Sequence, residues 1–336
     1  MADLNQQGQS MAMVTVLEAP PRQASAVSTP ALVVLNLGIV AAGFGVVVSI
    51  LSGATAESTS ISPTAIAVAL VALIVGIPHG AVDNLTLPGP IARMRRLQLT
   101  AVYLAVAVAA ALAIYAWPGP AFVGVIAMTV WHFGTGDVEA TRELRGLPPV
   151  RGGWRIGYAL ALGSAPVLLP LTSPAAVSTL VAIEPRLAMV MNEPVIALTR
   201  LGVLLLVIGT LLWLIHHGDV RGAIELMSLA VLGYVASPLL AFAVYFGFWH
   251  ALRHTARLAD VTYGRIDATS VLKVMRGGVP ALVGFVVVVV ALATFIDPSH
   301  AVGPMLWIGL VIVWGLTVPH MLFVARFDAR MRTSRG

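Results

Sequence analysis

The sequence predicts an all-α polytopic membrane protein, with about ten transmembrane helices (eight as the lower bound) around an intramembrane histidine metal site. Three observations carry this reading. Of 336 residues, 58% are hydrophobic and only 10% charged, where soluble domains carry about 25% charged residues. Uncharged stretches repeatedly approach the ~20 residues that cross a bilayer. Five of the eight histidines fall inside or at the ends of those stretches. With a mean hydropathy of +0.92, the chain has too little polar surface to cover itself in water.

Composition also excludes chemistry. There is no cysteine. Disulfides, thiolate ligands, iron–sulfur clusters and a cysteine nucleophile are therefore out. Any metal must be held by His, Asp, Glu or backbone oxygen. The net charge of +5 comes from arginines flanking membrane spans and implies no nucleic-acid partner. Neither a Gly-rich phosphate loop nor a G-x-S-x-G elbow is visible.

Residues 1–30 are rich in Ala, Gln, Ser and Pro and read as a disordered tail. A first span follows over 31–52. The triplet Ala54-Thr55-Ala56 after it is like a signal-peptidase site. The apolar run, however, exceeds the roughly 7–15 residues of a signal h-region, so the helix is read as retained. Further spans are expected over 62–82, 97–116, 120–140, 155–171, 197–215, 222–238, 240–258, 279–296 and 303–325. Pro118, Pro120 and Ser237-Pro238 punctuate connections. Residues 172–196 hold Pro174, Glu184, Pro185, Arg186, Glu193 and Pro194 and read as an amphipathic, interfacial connection. The transmembrane catalytic domain then runs over 31–327, with a basic tail over 328–336.

The arginines give the orientation. With both termini inside, the inner connections hold Arg93, Arg95, Arg96, Arg142, Arg145, Arg151, Arg155, Arg221, Arg253, Arg257, Arg265, Lys273 and Arg276. The inner tails hold five more arginines. Eighteen of 20 basic residues lie inside, and only Arg186 and Arg200 outside. That bias favours a multi-pass protein of the inner cell membrane with cytoplasmic N- and C-termini.

Ionisable residues within a bilayer are costly and usually functional. His79 ends the second span in GIPHGAVDN, and His132 lies in WHFGTGDVE. His250 and His254 share FGFWHALRHT, and His320 lies in LTVPHMLFV. All four spans run from outside to inside, and each histidine sits near the inner end of its span. One shared layer, and one polar site lined by four helices, follows from that placement. His250 and His254 are spaced i, i+4 and share a helix face, as in helical metal-chelating pairs. His320 is read as a ligand, a proton donor or a pocket wall. His216 and His217 meet an inner loop and read as solvated; His300 reads as structural.

Two carboxylates stand close in sequence. Asp83 follows His79 by four residues and Asp137 follows His132 by five. Each could ligate, orient an imidazole N–H, or be solvated at the interface. Glu139 reads as solvated. Gly76, Gly80, Gly134 and Gly136 leave room for helices to close around an ion. Trp131, Phe133, Tyr245, Phe246, Phe248 and Trp249 are either packing and belt residues or the wall of an apolar tunnel. A nitrogen or nitrogen/oxygen site without cysteine suits Fe(II), Zn, Mn or Cu.

Taken in order, GIPHGAVDN, WHFGTGDVE, YFGFWHALRH and VPHMLFV resemble the Brp/Blh family of β-carotene 15,15′-dioxygenases, over about residues 35 to 327. The resemblance implies an integral-membrane enzyme with Fe(II) as cofactor. It would use O2 to split the central double bond of β-carotene into two retinals, which supply a microbial rhodopsin. It implies His79, His132, His250 and His254 as metal ligands. On that reading Asp83 and Asp137 orient ligand histidines, with His320 in support. Trp131, Phe133, Tyr245, Phe246 and Trp249 line the substrate tunnel. Two alternatives stand beside it: a histidine-box desaturase or hydroxylase, and a metal or proton transporter with a His/Asp relay.

Overall fold

The structure is a computed structural model describing residues 28–58, 62–83, 93–150, 152–295 and 298–333. The polar tail over 1–27 and the last three residues lie outside the described set. So does the side chain of His300.

Proline and capping residues set the helix starts. A proline occupies the first turn of α1 (Thr29–Ser52), α2 (Pro63–Gly80) and α4 (Pro118–Leu144). The same holds for α6 (Pro174–Ile183), α7 (Glu193–His216) and α9 (Pro238–Val244). The missing N–H of proline is costless there, and its fixed φ suits the helix. Ser28, Ser173 and Asn192 accept from the first-turn N–H groups of Ala31, Ala176 and Val195, which have no partner within the helix. Asp219 does the same for Gly222, at the start of α8 (Val220–Val235). Intervening and later helices are α3 (Arg93–Ala116), α5 (Gly153–Leu171), α10 (Leu252–Tyr263), α11 (Ala268–Phe295) and α12 (Pro298–Thr333). A 3₁₀ turn, Pro185–Met189, follows α6, so the expected non-spanning connection is two short helical pieces.

Seven helices among the described residues are long and apolar enough to cross a membrane: α1, α2, α3, α4, α5, α7, and Leu306–Arg332 of α12. Ten such spans were expected. The other three expected segments are also helical, but differ in build. α8 has only 16 residues. The 240–258 segment is split by a π-helix, Tyr245–Ala251, and carries two buried arginines. α11 has 28 residues, and several side chains toward its end lie outside the described set.

α1 belongs to the bundle. Its Leu35 and Ala42 are buried, and Ser49 Oγ donates to Ala54 O at 2.6 Å. The backbone of Ala54 and Ala56 bonds Ser237 and Val235 in the α8–α9 turn. The stretch like a cleavage site is thus stitched into the fold.

Small residues bring backbones together where the site forms. A Cβ on Gly134 of α4 would fall 1.8 Å from Ala159 O of α5. One on Gly247 of the π-helix would fall 2.1 Å from Ala72 O of α2. Helix approach this close depends on glycine. α2 and the π-helix therefore run in backbone contact, and His79 is held against the elements that carry His250 and His254.

Candidate functional site

Five imidazoles meet inside the bundle. The His79 ring lies 5.6, 5.7 and 5.3 Å from the rings of His250, His254 and His320. His132 lies 5.2 Å from both His250 and His320, and His254 lies 6.3 Å from His320. All five are buried, with no more than 6% of each exposed.

The π-helix explains how one chain segment delivers three of these contacts. Phe246, His250 and His254 all touch the His79 ring. Over eight residues an ordinary helix of 3.6 residues per turn overshoots two turns and drifts off a shared face. The wider π winding takes up the drift, and π turns recur at functional sites.

Hydrogen bonding fixes how the rings are presented. His250 Nδ1 is 3.0 Å from Asp137 Oδ1, and His320 Nδ1 is 2.8 Å from Asp83 Oδ1. His79 Nδ1 is bonded to the carbonyl of Gly76. Carboxylates and carbonyls only accept, so each Nδ1 carries the proton and donates. In the neutral ring Nε2 then keeps its lone pair. The Nε2 atoms of His132, His250, His254 and His320 are buried without a hydrogen-bond partner.

The carboxylate pairings differ from those the spacing suggested. Asp83 does not orient His79: α2 ends at Gly80, the i, i+4 relation lapses, and Asp83 reaches α12 instead. Asp137 does not serve His132. Five residues along α4 carry it well round the helix, toward His250 and Tyr245. Tyr245 is buried, packs its ring 5.2 Å from Phe133, and donates to Asp137 Oδ2 at 2.8 Å.

The aromatics divide likewise. Phe133 lies 4.4 Å from His250, and Phe246 lies 5.2 Å from His79. Phe242, which the sequence reading did not single out, stacks on Phe246 at 5.5 Å and 11° and is 37% exposed. The three phenylalanines form a lane from the outer surface of the bundle to the imidazoles. Its sequence signal was the four-residue spacing Phe242, Phe246, His250, His254. Trp131 and Trp249 lie off this lane. Trp131 is 41% exposed on α4. Trp249 packs toward α1 and takes the Arg253 guanidinium over its ring at 4.0 Å. Each neighbours a cluster histidine in sequence and is turned away from it by the helix winding.

A layer of buried ion pairs adjoins the cluster. Arg253 Nη1 reaches Thr141 at 2.6 Å and Glu225 at 3.2 Å. Arg257 pairs with Glu143 at 2.7 Å and Asp328 at 2.9 Å. Glu139, expected to be solvated, is buried between Arg155 and Arg332. His216 and His217 are exposed, as expected.

The donor set is suited to a metal: imidazole nitrogens, three of them oriented from behind through Nδ1, with no thiolate. As the side chains stand, no three His, Asp or Glu groups among the described residues are drawn together tightly enough to hold an ion. The nearest ring centroids, 5.2–5.7 Å apart, are slightly wider than the about 5 Å implied by metal–nitrogen bonds of about 2.0–2.1 Å.

The family model described as "Beta-carotene 15,15'-dioxygenase" matches residues 69–328, which include all five histidines and both carboxylates. The chain belongs to this family. It is 28% identical over 325 residues to a Halobacterium salinarum protein named "Probable beta-carotene 15,15'-dioxygenase Blh", covering 84% of this chain and 90% of that one. It is also 28% identical over 290 residues to the "Beta-carotene 15,15'-dioxygenase" of an uncultured marine bacterium, covering 80% and 95%. No solved structure matches. Family membership agrees with the resemblance carried by the four motifs and stands against the desaturase and transporter alternatives.

Proposed function

We propose that this protein is a β-carotene 15,15′-dioxygenase whose five-histidine cluster is the reaction site, with iron as its metal. One observation carries the site assignment. Four imidazole Nε2 atoms, those of His132, His250, His254 and His320, are buried without partners, beside an aromatic lane that reaches the bundle surface at Phe242. A buried polar atom left unpaired costs roughly 1–3 kcal/mol. Several such atoms on neighbouring imidazoles, all able to accept, suit a shared ligand. A metal offsets the cost.

His79, His132, His250 and His254 would hold the ion. When bound, iron(II) supplies the redox chemistry that allows O2 to react with the polyene. The stoichiometry closes with one O2 and one carotene giving two aldehydes.

The remaining steps belong to the chain. Phe242, at the surface, meets a lipophilic polyene arriving from the bilayer, and Phe246 and Phe133 guide it inward. These rings offer only apolar faces, so they bind the substrate without competing for the metal or donating protons. Asp137 holds the His250 Nδ1 proton and is itself fixed by Tyr245. That arrangement keeps Nε2 pointed at the ion. Packing around the cluster keeps water from it. The N- and C-termini lie on the cytoplasmic side, and the retinal passes to a rhodopsin in the same membrane.

The test is expression in cells that make β-carotene, followed by pigment extraction. The wild-type chain is expected to bleach the cells and accumulate retinal. The His250→Ala variant, made at equal level, should leave the carotene intact. Full retinal production by His250→Ala contradicts the site assignment.

A further inference from the structure

We infer that His320 is a fifth metal-ligating imidazole, and that Asp83 is its positioning residue. The inference rests on the metal reading above and extends it to α12, which that reading leaves outside the ligand set.

Two pairs in the site are built alike. Asp137 on α4 receives the Nδ1 proton of His250 on the π-helix at 3.0 Å. Asp83, just past α2, receives the Nδ1 proton of His320 on α12 at 2.8 Å. In both pairs the carboxylate and the imidazole come from different elements, and both members are buried. Each leaves Nε2 buried without a hydrogen-bond partner. A ligating histidine characteristically donates its other nitrogen to a carboxylate or carbonyl, which fixes the tautomer and raises the basicity of the ligating atom. His320 meets that description as fully as His250 does.

Position points the same way. The His320 ring lies 5.3 Å from His79, 5.2 Å from His132 and 6.3 Å from His254. A pocket wall would have touched one side of the cluster; His320 touches three of its four other members. In the neutral ring, Asp83 takes the Nδ1 hydrogen and Nε2 is the acceptor a metal needs. Gly80, at the end of α2, lies beside the ring: a Cβ there would sit in ordinary contact, 3.7 Å from His320 Nδ1.

The test uses the full-length chain, purified in detergent from cells without carotene and stripped of metal. Fe(II) affinity is measured by competition with a chromogenic chelator, with no substrate present. His320→Ala is expected to weaken iron binding more than about 100-fold, as His250→Ala does. Asp83→Asn should weaken it about 10–100-fold, the usual range for a residue that orients a metal-bound histidine. His320→Gln keeps a donor for Asp83 without an imidazole, and should bind iron as poorly as His320→Ala. If His250→Ala loses iron while both His320 variants keep wild-type affinity, His320 is not a ligand and only this inference fails. If the wild-type chain takes up no iron, both readings fail together.

Discussion

His250 and Arg253 are three residues apart, and neither is exposed by more than 3%. Both belong to a stretch the membrane should punish for carrying polar groups, yet their surroundings differ in kind. Arg253 has Glu225, Thr141 and the face of Trp249. Arg257, one turn on, has Glu143 and Asp328. His250 has Asp137 behind it and no partner at Nε2. Each arginine of the ion-pair layer faces a carboxylate, though Arg253 Nε and Nη2 make no hydrogen bond; the histidine cluster carries unpaired Nε2 atoms on neighbouring rings. A guanidinium nitrogen has no lone pair to give a metal and can only hold carboxylates together. An imidazole nitrogen can accept a metal, so only the second region is equipped for chemistry.

The comparison can be broken most sharply on its structural side. Glu225→Ala leaves Arg253 buried without its carboxylate, and should cost ~3–5 kcal/mol of stability, read as a lower unfolding midpoint in detergent. His250→Ala, compared in metal-free protein, should lower that midpoint less than Glu225→Ala does while abolishing retinal formation. If the two variants exchange behaviours, the division between the regions is wrong. Next in size is Asp137→Asn, expected to lower iron affinity and turnover about 10–100-fold with the fold intact; a wild-type value for both would remove Asp137 from the site. Phe242→Ala tests the lane. Losing ~1 kcal/mol of apolar contact should raise KM for carotene several-fold and leave kcat alone, so a change in kcat only would place Phe242 elsewhere. The smallest effect is set far from both regions. Asp219 caps α8 and pairs with Arg145, so Asp219→Ala should cost ~1 kcal/mol with no change in turnover per folded molecule.

Much of the fold was legible because its signals are local. Apolar runs, first-turn prolines and flanking arginines each speak for one segment, and among the described residues each expected span is mainly helical. The five histidines were legible too, since each breaks an apolar run near the same end. What was hidden is the pairing between helices. Sequence spacing offers only neighbours on one helix, so it paired Asp83 with His79 and Asp137 with His132. The end of α2 at Gly80 and the turn of α4 carry both carboxylates to other helices. The hydroxyl bond of Tyr245 was hidden too, because its partner lies across the bundle. Glu139 read as solvated for the same reason: Arg155 and Arg332, which cover it, lie on α5 and at the far end of α12. The π-helix had no local signal beyond the four-residue spacing of Phe242, Phe246, His250 and His254.

The central claim is that the histidine cluster works through a bound iron. The direct measurement strips the purified wild-type chain of metal with a chelator, then follows retinal formed from β-carotene in air as Fe(II), Zn(II) or Mn(II) is returned. The account predicts no retinal from the stripped protein and recovery with Fe(II) alone. Full cleavage by the stripped protein, or equal recovery with zinc, would contradict it.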